Sequence, residues 1–154
     1  MALPRGDGQS ELWPENWDPL EVAYFAGLFD GEGSVGVYYP NPSARRQRMA
    51  EQVYISNNDL RPLNRAKSLF GGSIHLHQPE RPHGRANWRW YVSGRNAERF
   101  LAAILPHTII KRPQIEVFLA YRLGSPGTGR LITHERREVM RRVATEISRL
   151  KREY

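Results

Sequence analysis

Apolar residues along this chain switch between two periods, and the switches mark out its elements. From Pro19 to Phe29 they recur on all sides of a helix, with Phe25, Leu28 and Phe29 as bulk for a core. Asp18 suits the N-cap of that helix and Pro19 its first turn. Ser34–Tyr39 then alternates, with Val35, Val37 and Tyr39 on one face and Ser34, Gly36 and Tyr38 on the other. Val53 and Ile55 alternate with Gln52, Tyr54 and Ser56 in a second strand that pairs antiparallel with the first. Helical spacing returns with Leu60, Leu63, Ala66 and Phe70, behind the capping segment Asn57–Asp59 and ahead of Gly71-Gly72.

Two more strands follow, Ser73–His77 and the alternation of Trp88, Trp90 and Val92. Arg95–Leu105 is helical, with Ala97, Leu101 and Ile104 inward, and Pro106 stops it. Pro113 suits the start of another helix, which buries Ile115, Phe118 and Leu119 and ends near Gly124. After a flexible joint, Ser125–Gly129, an amphipathic helix over Thr133–Lys151 carries Val139, Val143, Ile147 and Leu150 on its apolar side. The order is helix, two strands, helix, two strands, helix, then two terminal helices. It predicts an α+β fold with one sheet face under helices and the other polar and aromatic.

Composition narrows the picture. A chain of 154 residues fits a single domain, here residues 20–154 with a core over 20–123 and a helical extension over 124–154. Residues 1–19, rich in Pro and Gly, read as a loosely packed arm, either pinned in part to the body by Trp13 and Trp17 or left as a disordered tail. The formal net charge of +7 favours an anionic partner, nucleic acid first. With no cysteine, disulfides and thiolate metal sites are excluded. No apolar run suits a membrane span and no leader pattern opens the chain, so an intracellular protein of the cytoplasm or an organelle matrix is expected.

The first helix holds the chemistry. Ala23, Gly27 and Gly31 recur every fourth residue and give one face almost no side chain, so another backbone can approach closely. Asp30-Gly31-Glu32-Gly33 then places two carboxylates at the helix C-terminus, where the macrodipole already disfavours anions. Anions and bare carbonyls crowded there invite a hard divalent cation with oxygen ligands.

Phe25–Gly33, FAGLFDGEG, resembles the LAGLIDADG motif, with Phe25 at the first Leu, Phe29 at the Ile, Gly31 at the second Ala and Glu32 at the second Asp. The resemblance, to LAGLIDADG homing endonucleases, covers about residues 20–123 and implies an αββαββα core with a saddle-shaped antiparallel sheet on DNA. A single copy of the motif implies a homodimer packed through Ala23, Gly27 and Gly31. It also implies a site-specific enzyme of intron or intein mobility. Such an enzyme makes staggered double-strand breaks, with 3′ overhangs, in a long, near-palindromic duplex site.

The resemblance also implies roles for individual residues. Glu32, with the Gly31 carbonyl, binds Mg²⁺ or another divalent cation such as Mn²⁺, while Asp30 holds the turn and helix ends instead. Asn57, in Ile55-Ser56-Asn57, positions water or merely begins the helical cap. Lys111, in Ile109–Gln114, meets the scissile phosphate, aimed outward by two isoleucines of a buried segment; Gln114 supports it, and Pro113 stands where a charged residue is more usual.

Sequence reading falls to Ser34, Tyr38, Tyr54, His75, His77, Arg89 and Tyr91 on the polar sheet face. Arg45, Arg46 and Arg48 on the first loop grip flanking duplex. His75 and His77 have no Cys or acid beside them and do not suggest zinc. The basic last helix, with Arg136, Arg137, Arg141 and Arg142, reads as a solvated face. The competing reading is a non-cleaving regulator or an RNA-splicing maturase on the same fold, which would need neither Glu32 nor Lys111.

Overall fold

The computed structural model describes residues 17–38, 50–123 and 134–153. In order these form α1 (Pro19–Glu32), β1 (Gly33–Tyr38), β2 (Ala50–Asn57), α2 (Leu60–Phe70), β3 (Ser73–Gln78), β4 (Asn87–Val92), α3 (Gly94–Ile104), α4 (Arg112–Leu123) and α5 (His134–Arg152). A 3₁₀ turn, Leu105–His107, follows α3. The predicted αββαββα core is present, with boundaries displaced by a residue or two. Residues 1–16, the first-loop arginines Arg45, Arg46 and Arg48, Tyr39 and the joint over 125–129 lie outside the described residues.

The local signals explain the element ends. Asp18 Oδ1 accepts the Leu20 N–H at 2.9 Å, and Pro19 opens the helix behind it. At the other end the chain leaves α1 so tightly that a Cβ on Gly33 would stand 2.2 Å from Phe29 Cδ2. Only glycine fits that step from helix to strand, although its φ is an ordinary −89°. Gly71 and Gly72, both at positive φ, turn the chain from α2 into β3.

The four strands form one antiparallel sheet in the order β1-β2-β4-β3. Strand alternation sorts their residues into two faces. Val35, Val53, Ile55, Trp90 and Val92 are buried under the helices. Rings bind that face to α1: Phe29 packs on Phe100 at 5.6 Å and Phe25 on Phe70 at 5.4 Å, while Phe100 also meets Phe70 at 4.8 Å and Trp90 at 4.9 Å. The Trp90 indole N–H is satisfied by the Gly71 carbonyl at 2.8 Å. Each such ring pair adds about 0.5–1.5 kcal/mol beyond area burial, so the inward side of α1 is fixed at several points.

α5 packs on α4 and β1. Ile147 and Leu150 are buried as the pattern predicts, and Val143 is partly buried. The upper part of the apolar stripe, however, runs through Met140, which is buried, rather than Val139, which is exposed. Arg122 of α4 ties the layers together, reaching Glu51 of β2 at 2.9 Å and Glu98 of α3 at 2.7 Å. No helix among the described residues is long and apolar enough to cross a membrane.

Candidate functional site

The two acids that close α1 have different surroundings. The Asp30 carboxylate accepts three backbone N–H groups, from Ile109 (2.7 Å), Ile110 (3.3 Å) and Lys111 (3.0 Å). These belong to the turn that opens α4, where Lys111 is the capping residue: its carbonyl accepts the Ile115 N–H at 3.0 Å. An anion disfavoured at the C-terminus of α1 is thus held by the positive N-terminus of α4. The reverse contact completes the pair, because Lys111 Nζ donates to the Asp30 carbonyl oxygen at 2.6 Å. A cation therefore satisfies the negative end of α1 while an anion satisfies the positive end of α4.

Glu32 is exposed and carries no hydrogen bond or ion pair among the described residues. Gly31 beside it is also exposed. Lys111 is half-buried, with its ammonium 6.0 Å from the centre of the Phe29 ring. Burial pushes its pKa below the ordinary lysine range, and the like charge of Lys151 pushes the same way. Asp30 and Glu32 oppose both effects. The two isoleucines meant to aim Lys111 do not come from a buried segment: Ile109 is 83% exposed and Ile110 52%. The lysine goes inward because Asp30 gathers the backbone of this turn, and that leaves the isoleucines outside.

Lys151 is a group that the sequence pattern missed. It lies on α5, read there as a solvated face, yet its Nζ reaches Ser34 Oγ at 3.1 Å, two residues beyond Glu32. Its signal in the sequence was faint: a lysine one position after the apolar Leu150 at the end of an amphipathic helix. Gln114, in contrast, is buried, and its Oε1 has no hydrogen-bond partner among the described residues.

Asn57 is engaged elsewhere. Its Oδ1 accepts the Asp59 N–H at 2.9 Å, and its strand partner is Trp88. Alternation therefore puts it on the helix side of the sheet, while Ser56 takes the polar side. This is the cap-forming alternative, and it leaves only the amide nitrogen unpartnered among the described residues.

The polar face gathers most of the candidates for sequence reading. Ser34 pairs with Tyr54, Tyr54 with Tyr91, and Arg89 stands between Ser56 and His75. Tyr54 and Tyr91 meet at a tilt of 52° with ring centres 5.5 Å apart, and His75 lies 5.8 Å from Tyr91 with its Nε2 at 2.9 Å from Ser73 Oγ. Arg89 donates through Nε to Ser56 Oγ at 3.0 Å and lies 4.2 Å above the Tyr54 ring. His77 falls where the β3–β4 register shifts, between Leu76 and Gln78, away from this cluster. Tyr38 closes β1 on the same face by alternation.

The outward side of α1 is open. Ala23, Gly27 and Gly31 are exposed, and a Cβ added to either glycine would meet nothing within 4 Å. Leu20 and Tyr24 on the same helix are 79% and 55% exposed, and the Asp30 bonds bring Ile109 and Ile110 alongside its end. A helix apolar all round belongs in a core, yet this one covers only half of itself.

The chain's relationships agree with this geometry. A family model described as the LAGLIDADG-like domain matches residues 19–105. Comparison with curated protein sequences gave no match. Among solved structures, the chain resembles the homing endonuclease I-CvuI in complex with its target (17% identity, 86% of this chain and 82% of that one, TM-score 0.63). It also resembles the archaeal intron-encoded homing endonuclease I-Vdi141I complexed with DNA (19% identity, 88% and 84%, TM-score 0.61). A third is the homing endonuclease I-TnaI (17% identity, 89% and 95%, TM-score 0.60). At these identities the structural likeness shows a shared fold.

Proposed function

The chain belongs to the LAGLIDADG family, and from that membership we propose that it is a site-specific DNA endonuclease working as a two-fold dimer. The observation that carries the reading is Glu32, an unpartnered carboxylate at the end of a small-faced helix, with Lys111 held beside it. The I-CvuI and I-Vdi141I structures were solved on DNA, which makes duplex DNA the first substrate to test. The first endonuclease was bound to its target in the presence of calcium.

A divalent cation fits the donor set. Among the described residues no three His, Cys, Asp or Glu side chains cluster, so one protomer offers a single free carboxylate and the Gly31 carbonyl. Mg²⁺ suits such a site, because it binds through one or two carboxylates and completes its shell with water and phosphate oxygens. Bound there, the ion supplies Lewis-acid stabilisation of the phosphate under attack. Mn²⁺ meets the same description.

The chain's own residues do the rest in this reading. Asp30 is left out of the metal site in this reading, since its oxygens accept three backbone N–H groups and it holds the Lys111 turn in place. Lys111 places its ammonium against the negative charge that builds on the phosphate. Asn57 can orient a water only through its amide nitrogen. Packing of two Ala23–Gly27–Gly31 faces covers the exposed half of α1 and sets two Glu32 side chains side by side. With one acid centre per strand across a minor groove about 6 Å wide, the cuts are staggered and leave 3′ overhangs. The polar faces of the two sheets lie on a near-palindromic duplex, with Ser34, Tyr38, Tyr54, His75, His77, Arg89, Tyr91 and the loop arginines as contacts.

The test is cleavage of a randomised duplex library with Mg²⁺, alongside Glu32→Gln. Discrete staggered cuts by the wild type, absent in the variant, support the endonuclease. Selected binding without cutting, unaffected by the substitution, would replace it with the non-cleaving regulator or maturase.

A further inference from the structure

Arg89 is the most constrained cation on the polar face. It sits on β4, an inner strand of the sheet, rather than on a rim or loop. Its Nε is held by Ser56 Oγ at 3.0 Å, and its Cζ lies 4.2 Å from the Tyr54 ring centre. Tyr54 is backed by Tyr91, and Tyr91 by His75. The guanidinium is therefore restrained by one hydrogen bond and one ring contact. Nη1 and Nη2 have no partner among the described residues. They form a fork of two N–H donors whose position is restrained before any ligand arrives.

We propose that Arg89 reads one guanine in each half of the bound duplex, donating from Nη1 and Nη2 to O6 and N7 in the major groove. Two parallel donors match two acceptors on one base edge, and only guanine presents acceptors at both positions there. A phosphate contact carries no sequence information, whereas two donors held side by side can match the paired acceptors of one base edge. The Tyr54 contact and the Ser56 bond limit the orientations Arg89 can take, which lowers the entropy cost of such a base contact.

The row Ser56–Arg89–His75 also lies one residue beyond the row that starts at Gly33, where β1 leaves α1. Arg89 is two strands from β1, or about 10 Å at the usual strand spacing.

The proposal rests on the DNA-binding reading, so its test measures binding without cutting, with the full chain and Ca²⁺ in place of Mg²⁺. Wild-type protein selects from a randomised duplex library, and the winning site is resynthesised with 7-deazaguanine, which lacks the N7 acceptor, at each guanine in turn. One symmetric pair of guanines is expected to lose about 5- to 150-fold in affinity per contact, while inosine there, which keeps O6 and N7, is tolerated. Arg89→Ala should relax preference at that position alone, and Tyr54→Leu should weaken it in the same place. A selected site in which no guanine responds to 7-deaza substitution overturns the proposal and leaves DNA binding intact. So does an Arg89→Ala variant that weakens all sequences equally and lowers the salt slope by about one, the mark of a phosphate contact. Failure of the wild type to select any sequence overturns the DNA-binding reading and the proposal with it.

Discussion

On its inward side α1 buries Val22, Phe25, Ala26 and Phe29 against rings from α2, α3 and β4; on its outward side Ala23, Gly27 and Gly31 leave bare backbone in solvent. The same division separates its two acids. Asp30 has three N–H donors and a lysine at its backbone carbonyl, and Glu32, two residues on, has no hydrogen bond or ion pair among the described residues. The inward side of this helix is built for one rigid placement, and the outward side and tip are left for something that arrives later. A carboxylate at a negative helix end is disfavoured on its own, and in the proposed dimer a cation and a second helix would complete it.

The contrast can be broken most sharply at Glu32. Glu32→Gln should reduce cleavage to background in single-turnover assays while DNA binding persists. Its melting temperature should hold steady or rise slightly, because the change removes an anion from the helix C-terminus. Gly27→Leu attacks the outward face instead. The fold has open space for the side chain, so melting should change little, whereas sedimentation should show monomers and double-strand cutting should fail.

Lys111→Met should slow cleavage by about 10²- to 10³-fold, the usual cost of removing a donor aimed at developing charge. Asp30→Asn tests the inward acid. It weakens three charge-assisted bonds and should lower stability in denaturant titration by about 2–3 kcal/mol. If Asp30→Asn left stability intact while abolishing metal binding, the two acids would have been assigned the wrong way round.

The smallest effect is a shift in pH dependence. In the proposed mechanism Lys111 acts charged, so cleavage should fall on the alkaline side with a midpoint below the ordinary lysine range. Lys151→Met removes a like charge and should move that midpoint upward. Stability follows the opposite sense. The unfolded chain binds the Lys111 proton more tightly, so this group's contribution to stability rises with pH from its folded pKa to the ordinary value.

Much of this molecule was legible from spacing alone. The period switches gave every described helix and strand to within a residue or two, because alternation and helical repeat are local consequences of burying one face. FAGLFDGEG identified the family for a similar reason, since small residues and acids at fixed helical spacing are local chemistry. The errors share a cause as well. Ile109 and Ile110 looked like core because they are apolar, and Val139 because it fits the stripe; each was decided by contacts outside its own element.

The sequence by itself determined the elements, the small-faced helix and the acid turn at its end, since these depend on residues within a few positions of one another. The resemblance implied that Asp30 holds the turn, and only the tertiary structure supplied the partners that occupy it. Asp30 is occupied by N–H groups about 80 residues further along the chain, and Ser34, next to the site, by a lysine 117 residues away. Two carboxylates two positions apart present almost the same local chemistry. What separates them is the docking of the α4 N-terminus against one of them, and that is set by how the core closes.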